Sequence, residues 1–127
     1  MTKIEGKCRE VLDKAEWVAI ATAGPDGPHL AATWGDYIRV LGIKDDVILI
    51  PVSGYRRTEK NLANDNRIEL LCGTRLVQGA RGSGKGCRIR GTAQVHTSGE
   101  LAEAAKKQFT WARGVMVVNV EDVREQL

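Results

Sequence analysis

The sequence predicts a mainly β domain with some α: a mostly antiparallel barrel of about six or seven strands with peripheral helices. Three observations carry this. Short apolar or alternating runs recur along the chain, among them 17–22, 47–50, 87–97 and 115–120. Turn signals such as Gly24-Pro25-Asp26-Gly27-Pro28 join neighbouring runs as hairpins. Helical patterns occur singly and do not alternate regularly with strands, which disfavours a doubly wound parallel sheet. A closed or nearly closed barrel also removes most exposed strand edges.

Taken in order, Thr2 and Glu5 have the spacing of a capping box. Ile4, Cys8, Val11, Leu12 and Ala15 then recur at helical spacing, predicting an amphipathic helix over 3–15. Residues 17–22 read as a buried strand, with Trp17 in the core, and 29–34 return as its hairpin partner. Residues 36–42 read as a third strand, Tyr37, Arg39 and Leu41 alternating against Ile38 and Val40. The run 47–50 is a buried strand expected to stop at Pro51, followed by a Val52-Ser53-Gly54 turn and a short helix near 56–65. Residues 67–73 form another strand and the glycine-rich 79–86 a flexible loop. Across 87–97, Ile89, Ala93 and Val95 face one way and Arg88, Arg90, Thr92, Gln94 and His96 the other. Ser98 caps a helix carrying Leu101, Ala104, Ala105, Gln108 and Phe109, Gly114 ends it, and 115–120 is the last strand.

The 127 residues favour one domain, 1–127, around one core. Apolar residues make up 43% and charged residues 28%, ordinary for a globular protein. The net charge of +3 admits an anionic ligand. The basic residues are spread out rather than clustered on one face, which argues against nucleic acid as the partner. Cys8, Cys72 and Cys87 are far apart in sequence and odd in number, against a disulfide framework or a zinc site. The first residues lack the apolar core of a signal peptide, and no run reaches the ~18–20 apolar residues of a membrane span. A cytoplasmic protein is expected.

The stretch 51–62 organises the functional reading. A strand end, a turn, Arg56-Arg57-Thr58 and a helix start leave backbone N–H groups and guanidinium forks free to hold a phosphate. Gly79, Gly84 and Lys85 have P-loop spacing, but Gly86 stands where a hydroxyl should bind magnesium, and strand periodicity follows where a helix is required. Glycines there instead allow a backbone to close over a ligand. His29 and His96 lack partners at metal-ligand spacing. No nucleophile elbow or carboxylate pair stands out, so no catalytic residue is assigned and a cofactor is expected to carry the chemistry. Trp34, Tyr37 and Trp111 are candidates to stack near its ring.

The chain resembles the small FMN-binding proteins of the split-barrel superfamily, relatives of pyridoxamine-phosphate oxidase, particularly those of sulfate-reducing bacteria. The likeness runs through 18–22, 26–30, Thr33-Trp34 with Tyr37, Pro51-Val52, Thr58-Glu59 with Asn61, Gly84-x-Gly86, 89–91 and 111–113. It implies a six-stranded antiparallel split barrel of Greek-key type, a homodimer with FMN near the subunit interface. Thr33, Arg57 and Thr58 would hold the phosphate. Ala32, Pro51, Val52, Ser53 and Gly54, with Gly84, Lys85 and Gly86, would face the ring, beside Trp34 and Trp111. Leu127 would cover the flavin of the partner subunit. This chain departs from the family pattern in Arg57 for lysine, Ser53 for glycine, and Lys85 for a small polar residue. A lysine at the ring's N1/O2 side would favour the anionic reduced flavin. The resemblance implies electron transfer, with a possible redox protein partner, or a small FMN-dependent oxidoreductase. It also admits an oxidase or reductase of one small molecule, and a deazaflavin or haem in place of FMN. A small-barrel module for single-stranded nucleic acid is the alternative from a different class.

Overall fold

The computed structural model describes residues 2–127. Seven strands form one antiparallel sheet: β1 (Trp17–Gly24), β2 (Gly27–Trp34), β3 (Ile43–Lys44), β4 (Val47–Val52), β5 (Arg67–Gly79), β6 (Gly82–His96) and β7 (Gly114–Gln126). Their order is β2-β1-β5-β6-β7-β4-β3. No ladder joins β2 to β3 among the described residues, so the sheet is not closed, and the expected six strands are seven. Four helices pack around it: α1 (Gly6–Lys14), α2 (Gly35–Leu41), α3 (Arg56–Asn64) and α4 (Glu100–Gln108).

The core follows the sequence pattern closely. Val11 and Leu12 of α1 are fully buried against Val18, Ile20, Leu70, Ile89, Met116 and Val118 of the sheet. Each such side chain contributes on the order of 1.5–3 kcal/mol through removal from water. The three cysteines, distant in sequence, converge here. Cys72 and Cys87 are direct register partners of β5 and β6, and all three are buried and free. A hydrogen bond shared with Cys72, reinforced by burial, pushes the Cys87 thiol up.

Several local expectations are overturned. Residues 36–42 are not a strand; Gly35–Leu41 is α2. The alternation misled because an apolar helix of two turns also places Ile38 inside and leaves Val40 out. Tertiary contacts choose the helix: Gly35 sits so close to α1 that a Cβ would lie 1.9 Å from the Ala15 carbonyl oxygen. Arg39 then donates to the Leu12 and Ala15 carbonyls at 3.1 and 2.9 Å, satisfying groups that the end of α1 leaves without partners. The capping box also fails. Glu5 precedes α1 without a side-chain cap, and Thr2 instead bonds β7 through Val120 and Glu121.

Strand β4 runs through Pro51, which pairs with Val115. β3 reaches only Val47 and Ile48, so β4 is an edge strand at Pro51, a position where proline is tolerated. Residues 79–86 are mostly ladder rather than free loop: β5 and β6 extend to a hairpin closed between Gly79 and Gly82, with an irregularity between Thr74 and Gln78. Helix α4 starts after Gly99 rather than on a Ser98 cap and ends at Gln108, well before Gly114, which opens β7. It buries Ala102 and Ala105, leaving Leu101 exposed. Trp17 is half-exposed at 53%, not core.

Candidate functional site

The site is built where β2 and β4 end and α2 and α3 begin. A cleft of about 510 Å³ opens there, lined by Trp17, Ala32, Thr33, Trp34, Tyr37, Pro51, Ser53, Gly54, Tyr55 and Trp111. Six of the sequence-predicted site residues therefore meet in one place: Ala32, Thr33, Trp34, Pro51, Ser53 and Gly54, with Trp111 as a seventh. Val52, between Pro51 and Ser53, is fully buried and anchors the strand end.

One wall is aromatic. Tyr37, Phe109 and Trp111 form a mutually tilted triad with ring centroids 5.1–5.3 Å apart. Trp34 and Trp111 remain 48% and 45% exposed, so ring surface is available to a planar ligand. Phe109 belongs to this wall although its helical spacing marked it only as part of α4.

The opposite wall is the turn that connects β4 to α3. Tyr55 stands before α3 in left-handed backbone conformation, φ 56°. Its hydroxyl donates to the Ala32 carbonyl, joining the turn to β2. Burial pushes the Tyr55 phenol above its ordinary value. Arg113 holds the same turn from behind: its Nε donates to the Ser53 carbonyl at 2.6 Å, and Nη2 donates to the Gly54 carbonyl and the Glu59 carboxylate, both at 2.7 Å. The sequence reading missed Tyr55 and Arg113 as site-builders. Their signal lay in position only, an aromatic before a helix start and an arginine two residues after Trp111.

Two buried hydroxyls belong to Thr33, in the cleft lining, and Thr58, in the first turn of α3. Thr33 is 5% and Thr58 1% exposed, and neither Oγ1 has a hydrogen-bond partner among the described residues. An unpaired buried hydroxyl costs roughly 1–3 kcal/mol, so its persistence points to a ligand that accepts hydrogen bonds. Arg57 is exposed on the first turn of α3, 3.7 Å from the Asp26 carboxylate of the β1–β2 turn. Two hydroxyls, a guanidinium and the N–H groups of a helix start are donors of the kind a phosphate takes.

The remaining predicted residues lie elsewhere in the chain. Gly84 and Lys85 line a second cleft of about 860 Å³ with Gly73, Thr74, Arg75 and Leu127, on the β5–β6 hairpin. Gly86 follows Lys85 on β6 and pairs with Gln126 of β7. Leu127 is exposed, its carbonyl accepting from the Ala80 N–H at 2.8 Å. Lys85 is not a free cation: its side chain is 11% exposed and its Nζ lies 3.2 Å from Glu125. Within one chain, the hairpin residues and the aromatic cleft are separate sites.

Between them runs an exposed apolar sheet face. Register places Trp17 opposite Trp34, Ala21 opposite Leu30, and Ala19 between Ala32 and Leu71. Leu30 is 72% and Leu71 45% exposed. A contiguous apolar face of this kind is uncommon on a monomer.

Comparison with known proteins agrees with this architecture. Residues 4–127 match the family model described as pyridoxamine 5'-phosphate oxidase. An FMN-binding protein of Nitratidesulfovibrio vulgaris (strain Miyazaki F) is 42% identical over 124 residues, covering 98% of this chain and 99% of that one. Among solved structures, a single-residue variant of HupZ from Group A Streptococcus superposes with a TM-score of 0.76 at 20% identity, over 97% of this chain and 99% of that one. An FMN-binding protein from Syntrophomonas wolfei gives 0.67 at 17% identity, over 95% of this chain and 84% of that one. The two structural likenesses speak for the fold, while the family match and the 42% identity extend over nearly the whole sequence. The chain therefore belongs to the pyridoxamine 5'-phosphate oxidase family.

Proposed function

We propose that the chain, as one unit over 1–127, binds FMN and acts in electron transfer or as a small FMN-dependent oxidoreductase. The observation that carries this is a pair of buried hydroxyls, Thr33 and Thr58, without partners among the described residues, with Thr33 lining a cleft walled by aromatics. In this reading Thr33, Arg57 and Thr58 hold the phosphate. Ala32, Trp34 and the backbone of Pro51, Val52, Ser53 and Gly54 take the ring. FMN, when bound, supplies one- and two-electron chemistry, and the protein supplies burial, anchoring and tuning. The 42% identical FMN-binding protein supports the same cofactor.

The second wall of the site belongs to a second copy of the chain. Gly84, Lys85, Gly86 and Leu127 lie away from the aromatic cleft of their own chain, and the apolar face around Trp17, Trp34, Leu30 and Leu71 is suited to burial against a partner. The Lys85–Glu125 pair offsets the lysine's charge, so Lys85 alone is a weaker tuner of the flavin than its sequence position suggests.

Electron transfer is favoured over acid–base chemistry on a substrate because the cleft lining carries no carboxylate, histidine or lysine. A nucleic-acid role is disfavoured because Arg67, Arg88, Arg90 and Arg113 are paired with carboxylates. No helix of the described residues is long and apolar enough to cross a membrane. A cytoplasmic homodimer exchanging electrons with a redox protein is the corresponding assignment. The test is the absorbance spectrum of the purified protein with the mass of the released cofactor. A flavin spectrum with the mass of FMN is expected; a colourless protein that gains no bound flavin on adding FMN overturns the reading.

A further inference from the structure

We propose that Arg113 is a positioning residue that fixes the peptide planes of the 53–55 turn and thereby sets the binding and redox potential of a flavin held against that turn. The proposal rests on the FMN reading above. Four hydrogen bonds tie Arg113 to the turn and to α3. Its backbone N–H donates to the Val52 carbonyl at 2.8 Å. Its guanidinium takes the Ser53 and Gly54 carbonyls at 2.6 and 2.7 Å, and the Glu59 carboxylate at 2.7 Å. The side chain is only 19% exposed, so the guanidinium is held rather than solvated.

The consequence follows from amide geometry. In a trans peptide the carbonyl and the N–H of one unit point in opposite directions. The chain has no cis peptide among the described residues. With the Ser53 and Gly54 carbonyls gathered on Arg113, the N–H groups of Gly54 and Tyr55 are turned away from it. Neither has a hydrogen-bond acceptor among the described residues. Ser53, Gly54 and Tyr55 line the aromatic cleft and Arg113 does not. The turn therefore presents donors, not acceptors, to whatever fills the cleft. Donors facing a flavin's polar edge stabilise the negative charge that reduction places there and raise its potential.

Glu59 offsets the arginine's charge, so Arg113 acts through the geometry of its fork more than through a field. A lysine could reach one carbonyl but not span both. Arg113→Lys, which keeps the charge and is the milder change, should therefore behave like Arg113→Ala at the flavin.

The experiment measures affinity for FMN and for riboflavin, and the midpoint potential of the bound flavin, in the unaltered protein, Arg113→Lys and Arg113→Ala. Both variants are expected to lose roughly tenfold in affinity for FMN and riboflavin alike, about the worth of one hydrogen bond, with a potential shifted downward. A loss confined to FMN would place the effect at the phosphate through Glu59 and overturn the proposal. A lower melting temperature with affinity and potential unchanged would make Arg113 merely structural and overturn it too. If Arg113→Ala does not fold, Arg113→Lys decides alone. If the unaltered protein binds neither flavin, the FMN reading itself fails, and this proposal with it.

Discussion

The Tyr55 hydroxyl donates to the Ala32 carbonyl, and this bond spans a place where no strand ladder does. It links the start of α3 to β2, so the 53–55 turn and the β2 side of the cleft share one fixed geometry. Tyr55→Phe removes only the hydroxyl. The expected loss is about 1 kcal/mol of stability, read by urea unfolding, since a part-buried carbonyl loses its donor. The same variant reports on pH. Burial raises the folded-state phenol above its ordinary value of 10.0, so its contribution is whole below that pH and falls as pH rises through the raised value. The alkaline decline in stability should be shallower in Tyr55→Phe; an unchanged decline would remove Tyr55 as its source.

Thr33→Val and Thr58→Val separate ligand binding from folding. Each keeps the side-chain shape and deletes a buried hydroxyl that has no partner among the described residues. The flavin-free variants are expected to be as stable as the parent, or more stable by on the order of 1 kcal/mol. FMN affinity should fall roughly tenfold per hydroxyl while riboflavin affinity holds. Equal losses for FMN and riboflavin would mean the hydroxyls do not serve the phosphate.

Gly35→Ala tests why α2 lies where it does. The added Cβ would stand 1.9 Å from the Ala15 carbonyl oxygen and 2.7 Å from the Arg39 guanidinium. Relief requires moving α2 off α1, at a cost of about 1–3 kcal/mol or more. Because Trp34 and Tyr37 flank Gly35, flavin binding should weaken as well. A variant with parental melting would show that α2 is free to shift.

The apolar face should carry self-association. Leu30→Glu places a charge on that face at a side chain that is 72% exposed. Light scattering should report a dimer for the parent and a monomer for the variant, and the variant should retain less flavin because the second wall is lost. A parent that is monomeric at concentrations where it binds FMN would sink the two-chain site.

The sequence by itself determined the pattern of inside and outside. Short apolar runs at 17–22 and 115–120 and the alternating run 87–97 became sheet, and Ile4, Cys8, Val11 and Leu12 became the buried stripe of a helix, because such patterns record which side chains avoid water. The stretch 51–62 with Thr58 stood out as a strand-to-helix junction suited to an anion, while Thr33 was marked only by the family resemblance. Only the tertiary structure decided what distance in sequence hides. It made 36–42 a helix, through Gly35 against Ala15 and Arg39 on the carbonyls of α1, contacts no local propensity encodes. It brought three scattered cysteines together by pairing β5 with β6 and packing α1 against them. It also separated Lys85 and Leu127 from Trp34, placing one chain's predicted site in two clefts. Spacing specifies periodicity and burial, while convergence depends on which strands pair and in what register, and that is fixed by the packing of the whole chain.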